Sequence, residues 1–178
     1  MSPALEVFGL TKRFAAGAGS CLATAQALSG VDVVAHPGQV VAIAGPSGAG
    51  KTTLLLCAAG LLSPDAGVVR WFGDSQRAAA MERARLHYHR GSLEGVATDR
   101  SIVHLVDVGD AEAARICEWI ERRRSTGDCV IVAVRDPALA RRLAETVVLV
   151  RDGRVVAPSH AQARVAETVF VDPSDRFA

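Results

Sequence analysis

"QVVAIAGPSGAGKTTLLLCAAG", residues 39–60, decides how this chain folds. "QVVAIAG" (39–45) is an unbroken apolar run, the pattern of a strand buried on both faces. "KTTLLLCAAG" (51–60) reads as a helix closed by Gly60. Between them "GPSGAGKTT" matches the pattern G-x-x-x-x-G-K-[ST] at Gly45, Gly50, Lys51 and Thr52. Glycines let such a loop wrap phosphate oxygens with its amide hydrogens pointing inward, and the helix N-terminus adds partial positive charge. Pro46, Ser47, Gly48 and Ala49 complete the cradle, and Thr53 follows it. Lys51 would reach the β and γ phosphates, and the Thr52 hydroxyl would bind magnesium. The competing reading is a Gly-rich turn of purely structural use, but a strand before and a helix after are the context the phosphate loop requires.

Outward from this loop, short apolar runs alternate with helix-like patterns. Upstream, "LEVF" (5–8) and "VDVVA" (31–35) suit strands, and "AAGAGSCLATAQ" between them reads as a flexible loop. Downstream, Pro64, Asp65 and Gly67 carry turn chemistry, "VVRWFG" suits a strand, and "SQRAAAMERARLHYH" (75–89) suits a helix rich in Ala, Arg and Glu. "IVHLVD" then precedes a helix from about Ala111 to Arg124, where Ala113, Ile116, Cys117 and Ile120 share one face. "CVIVAV", a helix over "PALARRLAE" with Pro137 at its start, "TVVLV", the turn "RDGR" and "VV" complete the alternation. Continuous apolar strands interleaved with helices imply an α/β fold with a mainly parallel sheet covered on both sides.

The 178 residues are 49% hydrophobic, enough for one domain with a real core. A net charge of +1 gives no basic field for nucleic acid. The local runs "ERRR" (121–124) and "ARR" (140–142) read as solvated helix faces. Cys21, Cys57, Cys117 and Cys129 show no C-x-x-C spacing, so neither a disulfide framework nor a zinc site is expected, and a reducing cytoplasm fits. The N-terminus lacks a signal-peptide pattern, and no apolar run reaches the ~20 residues that span a bilayer. Membrane association is expected only through a partner.

The stretch from "ALSGVDVV" through "GLLSPDAGVVRWFG" resembles the ATP-binding cassette (ABC) transporter ATPase family over its whole length. "GDAEAARICEWIERRRSTGDCVIVAVRDPALARRLAETVVLVRDGRVV" is similar to that family's C-terminal half. The resemblance covers most of Leu5 to Val156. It implies a P-loop NTPase fold with an N-terminal antiparallel β portion, ATP and Mg2+ as ligands, and membrane transporter subunits or a full-length ABC ATPase as partners. It implies one nucleotide-binding domain over residues 1–157, with 158–178 an unassigned tail. Phe14 in "LTKRF" stands where the family stacks an aromatic ring on adenine, a contact worth ~1 to 3 kcal/mol. A core phenylalanine at a strand end is the other reading.

The departures carry as much information. Between the two halves the family has a glutamine loop, a helical subdomain and an LSGGQ signature, whereas here "RARLHYHRGSLEGVATDR" fills the space and the glutamine position falls near Arg90 or Gly91. The family's Walker B strand ends in Asp-Glu. A gap-free alignment from Asp110 puts Val103 and His104 at those positions, but it makes "DRSI" the strand and buries Asp99 and Arg100. Sliding the alignment makes "SIVHLV" the strand and Asp107 the magnesium-side Asp. Asp107 and Asp110 could instead cap the following helix, the expected role for Asp110. Either way the catalytic Glu is replaced, by Val108 or His104. A lone His104 in an apolar strand would be buried and neutral, and His87 and His89 would be exposed at a helix end. Val134 and Arg135 stand where the family has Thr-His, and Arg135 either contacts a γ phosphate or sits in solvent.

The resemblance and its departures together imply an ABC-type protein that binds MgATP with absent or very weak hydrolysis, as a regulatory or structural partner of a membrane transport complex, in the cytoplasm or at a membrane's inner face through a partner. The alternatives are an active transporter ATPase subunit, a P-loop small-molecule kinase using "RARLHYHR" as lid, and a binding module that has lost nucleotide.

Overall fold

One apolar helix lies between two sheets of different kind. The computed structural model describes residues 2–16, 23–73, 86–91, 103–107 and 113–158. Strands β1 (Leu5–Ala16), β2 (Ala23–Ala35) and β4 (Ala66–Trp71) form an antiparallel sheet in the order β2-β1-β4. The larger sheet has the order β5-β6-β7-β3-β8-β9, from β5 (Leu86–Arg90), β6 (Val103–Asp107), β7 (Cys129–Val134), β3 (Val40–Ala44), β8 (Thr146–Arg151) and β9 (Arg154–Pro158). Its pairings are parallel except β8 with β9. Helix α1 (Lys51–Ala58) follows β3; α2 (Ala113–Thr126) and α3 (Pro137–Leu143) flank β7 in sequence.

The all-apolar strands follow from this layering. Every residue of β3 and β7 is buried. Val41 and Ile43 face a core shared by Leu54, Leu55 and Cys57 of α1 and by Leu5, Val7, Leu10 and Leu28 of the antiparallel sheet. Val40, Ala42 and Ala44 face the opposite core, built with Ile116 and Ile120 of α2 and Leu139, Ala140 and Leu143 of α3. Because α1 packs against both sheets it is apolar on more than one side, as "LLLCA" shows. Helix α3 begins as its sequence dictates: Pro137 occupies the first turn, and the Asp136 carboxylate accepts from the Ala138 amide at 2.8 Å.

Three expectations change. Strands β1 and β2 run far beyond 5–8 and 31–35, into the stretch read as a loop. The pairing shifts register around Gly9, whose φ is +58° and whose amide donates to Asp32 Oδ1 at 2.6 Å. Bulges at such points break the alternation on which strand reading depends. Residues 86–90 are strand, not helix: the ladder Leu86↔Val103 to Arg90↔Asp107 overrides the propensity of the flanking Ala, Arg and Glu. The remainder of that expected helix, 75–85, lies outside the described residues. "ERRR" is not uniformly solvated, since Arg123 is buried with its guanidinium 3.5 Å from Asp128. Ile116 and Ile120 are buried as their spacing predicts, with Cys117 half-buried beside them. Cys57, Cys117 and Cys129 are free thiols, and burial pushes Cys57 up to about 11. Cys21, residues 111–112 of the helix expected from about Ala111, and the tail from 159 lie outside the described residues.

Candidate functional site

The loop after β3 is clamped from outside by backbone. The Gly45 amide donates to the Val134 carbonyl at 3.3 Å, and the Ala49 carbonyl accepts from the Gly153 amide at 3.1 Å. A Cβ on Gly45 would lie 2.1 Å from the Val150 carbonyl oxygen, and one on Gly50 would lie 2.3 Å from that of Ala27. Both positions therefore need glycine for space. Gly50 needs it also for its φ of +100°, which starts α1. Gly50→Ala is expected to cost roughly 1 to 3 kcal/mol, because the strained φ is joined to an overlap with backbone that cannot move aside; urea unfolding of the variant measures it. Gly48, at φ +80°, has open space around its missing Cβ, and Pro46, Ser47 and Gly48 form the exposed rim of the loop.

The inside of the loop fits an anion. Helix α1 has no side-chain cap and no acidic residue in its first turn, so neither offsets the partial positive charge of its N-terminus. Lys51 Nζ donates to the carbonyls of Gly45 and Pro46, both at 2.7 Å, which folds the ammonium across the loop. Thr52 and Thr53 are half-buried in the first turn.

Asp107 is the last residue of β6, so the strand of the shifted alignment is present over 103–107, while the residues between it and α2, 108–112, lie outside the described residues. The ladders place Asp107 beside Ala133, and Ala133 beside Ile43. Two strand spacings, about 10 Å, separate Asp107 from the end of β3 in the same row. Its side chain shares the sheet face of Val103 and Leu105, whose core also holds α1. Asp107 thus lies on the α1 side of the sheet, at the edge where the loop leaves β3. Oxygen ligands from an aspartate and a threonine are the donor set magnesium takes. Tyr88 Oη, on the neighbouring strand, is 3.2 Å from Asp107 Oδ2. Asp110 lies outside the described residues.

Phe14 is 41% exposed on β1, opposite Ala25, with Lys12 Nζ 5.8 Å from its ring centre. It is not a core residue, and its ring is available for stacking. Lys12 itself pairs with Asp65 at 2.9 Å. Arg135 is exposed directly after Val134, whose carbonyl holds the Gly45 amide.

The histidines differ from expectation. His89 and His104 are buried together on the opposite sheet face, with His89 Nε2 at 3.3 Å from His104 Nδ1 and His104 Nε2 at 3.3 Å from Asp128 Oδ2. Trp119 of α2 meets both rings edge-on, and Arg123 lies over Trp119. His104 is buried, but it is not alone. His89 is no exposed helix-end residue, since β5 turns it toward α2. Burial, then the neighbouring histidines and Arg123, lowers His89 to about 4; burial also lowers His104. Among the described residues no His, Cys, Asp and Glu side chains group to hold a metal ion. Tyr88, Asp128 and the clamp at Ala27 and Gly153 escaped sequence reasoning. Only the turn "RDGR" offered a signal, and only for Gly153.

The sequence matches the ABC transporter family over residues 28–147. The chain belongs to this family. It is 33% identical to the Fe(3+) ions import ATP-binding protein FbpC 2 of Rhodococcus jostii (strain RHA1), over 97% of this chain and 46% of that protein. It is 43% identical to the lipoprotein-releasing system ATP-binding protein LolD of Ruegeria sp. (strain TM1040), over 48% of this chain and 36% of that one. This ABC transporter family chain thus spans about half the length, or less, of these curated relatives. Its fold is that of solved cassettes. The crystal structure of a nucleotide-free ATP-binding cassette from an ABC transporter superposes with a TM-score of 0.67 at 13% identity, covering 98% of this chain and 97% of that one. A dimeric bacterial ABC transporter cassette superposes with a TM-score of 0.68 at 16% identity, covering 87% and 97%. Among the described residues no helix is long and apolar enough to cross a membrane.

Proposed function

We propose that this ABC family member binds MgATP through Gly45–Thr53, hydrolyses it very slowly or not at all, and serves a membrane transport complex as a regulatory or structural partner. One pairing carries the reading: a phosphate loop of intact form stands beside strand ends that lead to Val108 and Arg135, neither able to take a proton from water. Losing a general base alone commonly costs ~100- to 10,000-fold in rate. Residues 1–157 serve as one nucleotide-binding domain without the helical subdomain. The connection from β5 to β6, residues 91–102, is of the length one parallel crossover takes, a dozen or so residues. On this reading the protein works in the cytoplasm, at the inner face of a membrane through its partner.

The relatives' descriptions as ATP-binding proteins of import and release systems favour a second reading, an active hydrolytic subunit. Of the segment 83–90 that the kinase reading needs as a lid, Leu86–Arg90 is a sheet strand and 83–85 lie outside the described residues, which disfavours that reading. The test is calorimetry and phosphate release on the purified chain. MgATP binding is expected with turnover no higher than that of Lys51→Ala. Turnover above that control would establish the active subunit instead, and absence of nucleotide binding would leave a fold that has lost its ligand.

A further inference from the structure

Resting on the reading that Asp107 serves nucleotide-bound magnesium, we infer that Tyr88 is the positioning residue that aims the Asp107 carboxylate. The parallel register sets Tyr88 beside Leu105, two residues before Asp107, so Tyr88 and Asp107 point to the same sheet face one row apart. Side chains in strands lean along the strand, which brings the phenol to the carboxylate. Tyr88 Oη donates to Asp107 Oδ2 at 3.2 Å, and the ring packs against the core that holds Leu105 and α1.

The backbone of Asp107 needs no help from this contact. It is already fixed by the β5–β6 and β6–β7 ladders and by the Gly91 amide, which donates to the Asp107 carbonyl at 3.1 Å. What the hydroxyl adds is side-chain direction, because it ties the Oδ2 end of the carboxylate to β5. Ligating carboxylates are commonly oriented by such outer partners, whose removal costs about 10- to 100-fold in metal affinity.

Tyr88→Phe keeps the ring and removes only the donor. On the full chain, the Mg2+ concentration that half-saturates ATP binding is expected to rise about tenfold in this variant, while ATP binding in EDTA stays within about twofold of wild type. An unchanged Mg2+ dependence overturns the inference, as does an equal loss with and without Mg2+, which would mark a merely structural contact. A second readout needs no nucleotide. Thermal midpoints of Tyr88→Phe, Asp107→Asn and the double variant are expected to be non-additive, the double shifting less than the sum of the singles. Additive shifts overturn the contact itself. A wild-type chain that binds no ATP, yet shows this coupling, overturns the MgATP reading and the magnesium role together. It is thereby distinguished from failure of the Tyr88 inference alone.

Discussion

Lys51→Ala is expected to weaken MgATP binding by about 100-fold, close to the 1.5 to 3 kcal/mol that a hydrogen bond to a charged group contributes. Within the loop, residues 45–53, no other side chain is charged. Helix α1 brings only partial charge, and Ser47 and Gly48 offer neutral backbone donors and one hydroxyl, while Pro46 has no N–H to give. Lys51 Nζ donates to the Gly45 and Pro46 carbonyls, both belonging to the loop, so the ammonium lies across it. Its loss should lower affinity far more than it lowers stability, because the loop keeps its Gly45–Val134 and Ala49–Gly153 backbone bonds. Calorimetry with ATP in Mg2+, paired with thermal unfolding of the same samples, checks both halves. An affinity within twofold of wild type would remove the loop from nucleotide binding altogether.

The site was legible where function and packing coincide in one short stretch. Gly45 and Gly50 are demanded twice, by phosphate geometry and by the Val150 and Ala27 carbonyls behind them, so the motif and its strand–loop–helix setting were plain. That a strand ends at Asp107 was readable because burying Asp99 and Arg100 in a strand is physically poor, which left the later span as the better one. What stayed hidden depends on partners far apart in sequence. The edge strand at Leu86–Arg90 exists because Val103–Asp107 pairs with it, and its own residues carry helix-like surroundings. Once that strand is in place, alternation decides everything about it: His87 and His89 turn to one face, Tyr88 to the other, toward Asp107. Arg123 looked like one more charge in a run because Asp128 and Trp119, which bury it, cannot be paired with it from spacing alone.

The buried imidazoles make stability fall as pH drops from about 6.5 to 4. The sign follows from the hydrogen-bond chain. With both rings neutral, His104 Nε2–H donates to Asp128 Oδ2, and His104 Nδ1 accepts from His89 Nε2–H, so every contact is matched. A further proton on His104 would set two donors against each other at 3.3 Å, close to the Arg123 guanidinium and without solvent. The groups facing the pair are His87 on the same strand as His89, Arg123 on α2, and Asp128 before β7. Among the described residues Asp128 alone opposes the cationic form. The unfolded chain therefore takes up protons from pH 6.5 downward while the folded chain does not, until about pH 4 for His89. A depression from 6.5 to about 4 corresponds to about 3 kcal/mol, present in full above pH 6.5 and lost progressively below it. His104, lowered in the same direction, adds to the loss. Asp65 acts in a separate window: its bonds to Lys12 and the Arg13 amide lower it from 3.8, so its contribution disappears only as pH falls further. Urea unfolding at pH 7.5, 5.5 and 4.5 should show the decline, and His89→Gln should flatten it while being less stable than wild type at pH 7.5. Equal stability at pH 7.5 and 4.5 would mean that these rings are charged or open to water in the folded chain. An undiminished slope in His89→Gln would assign the loss to other groups.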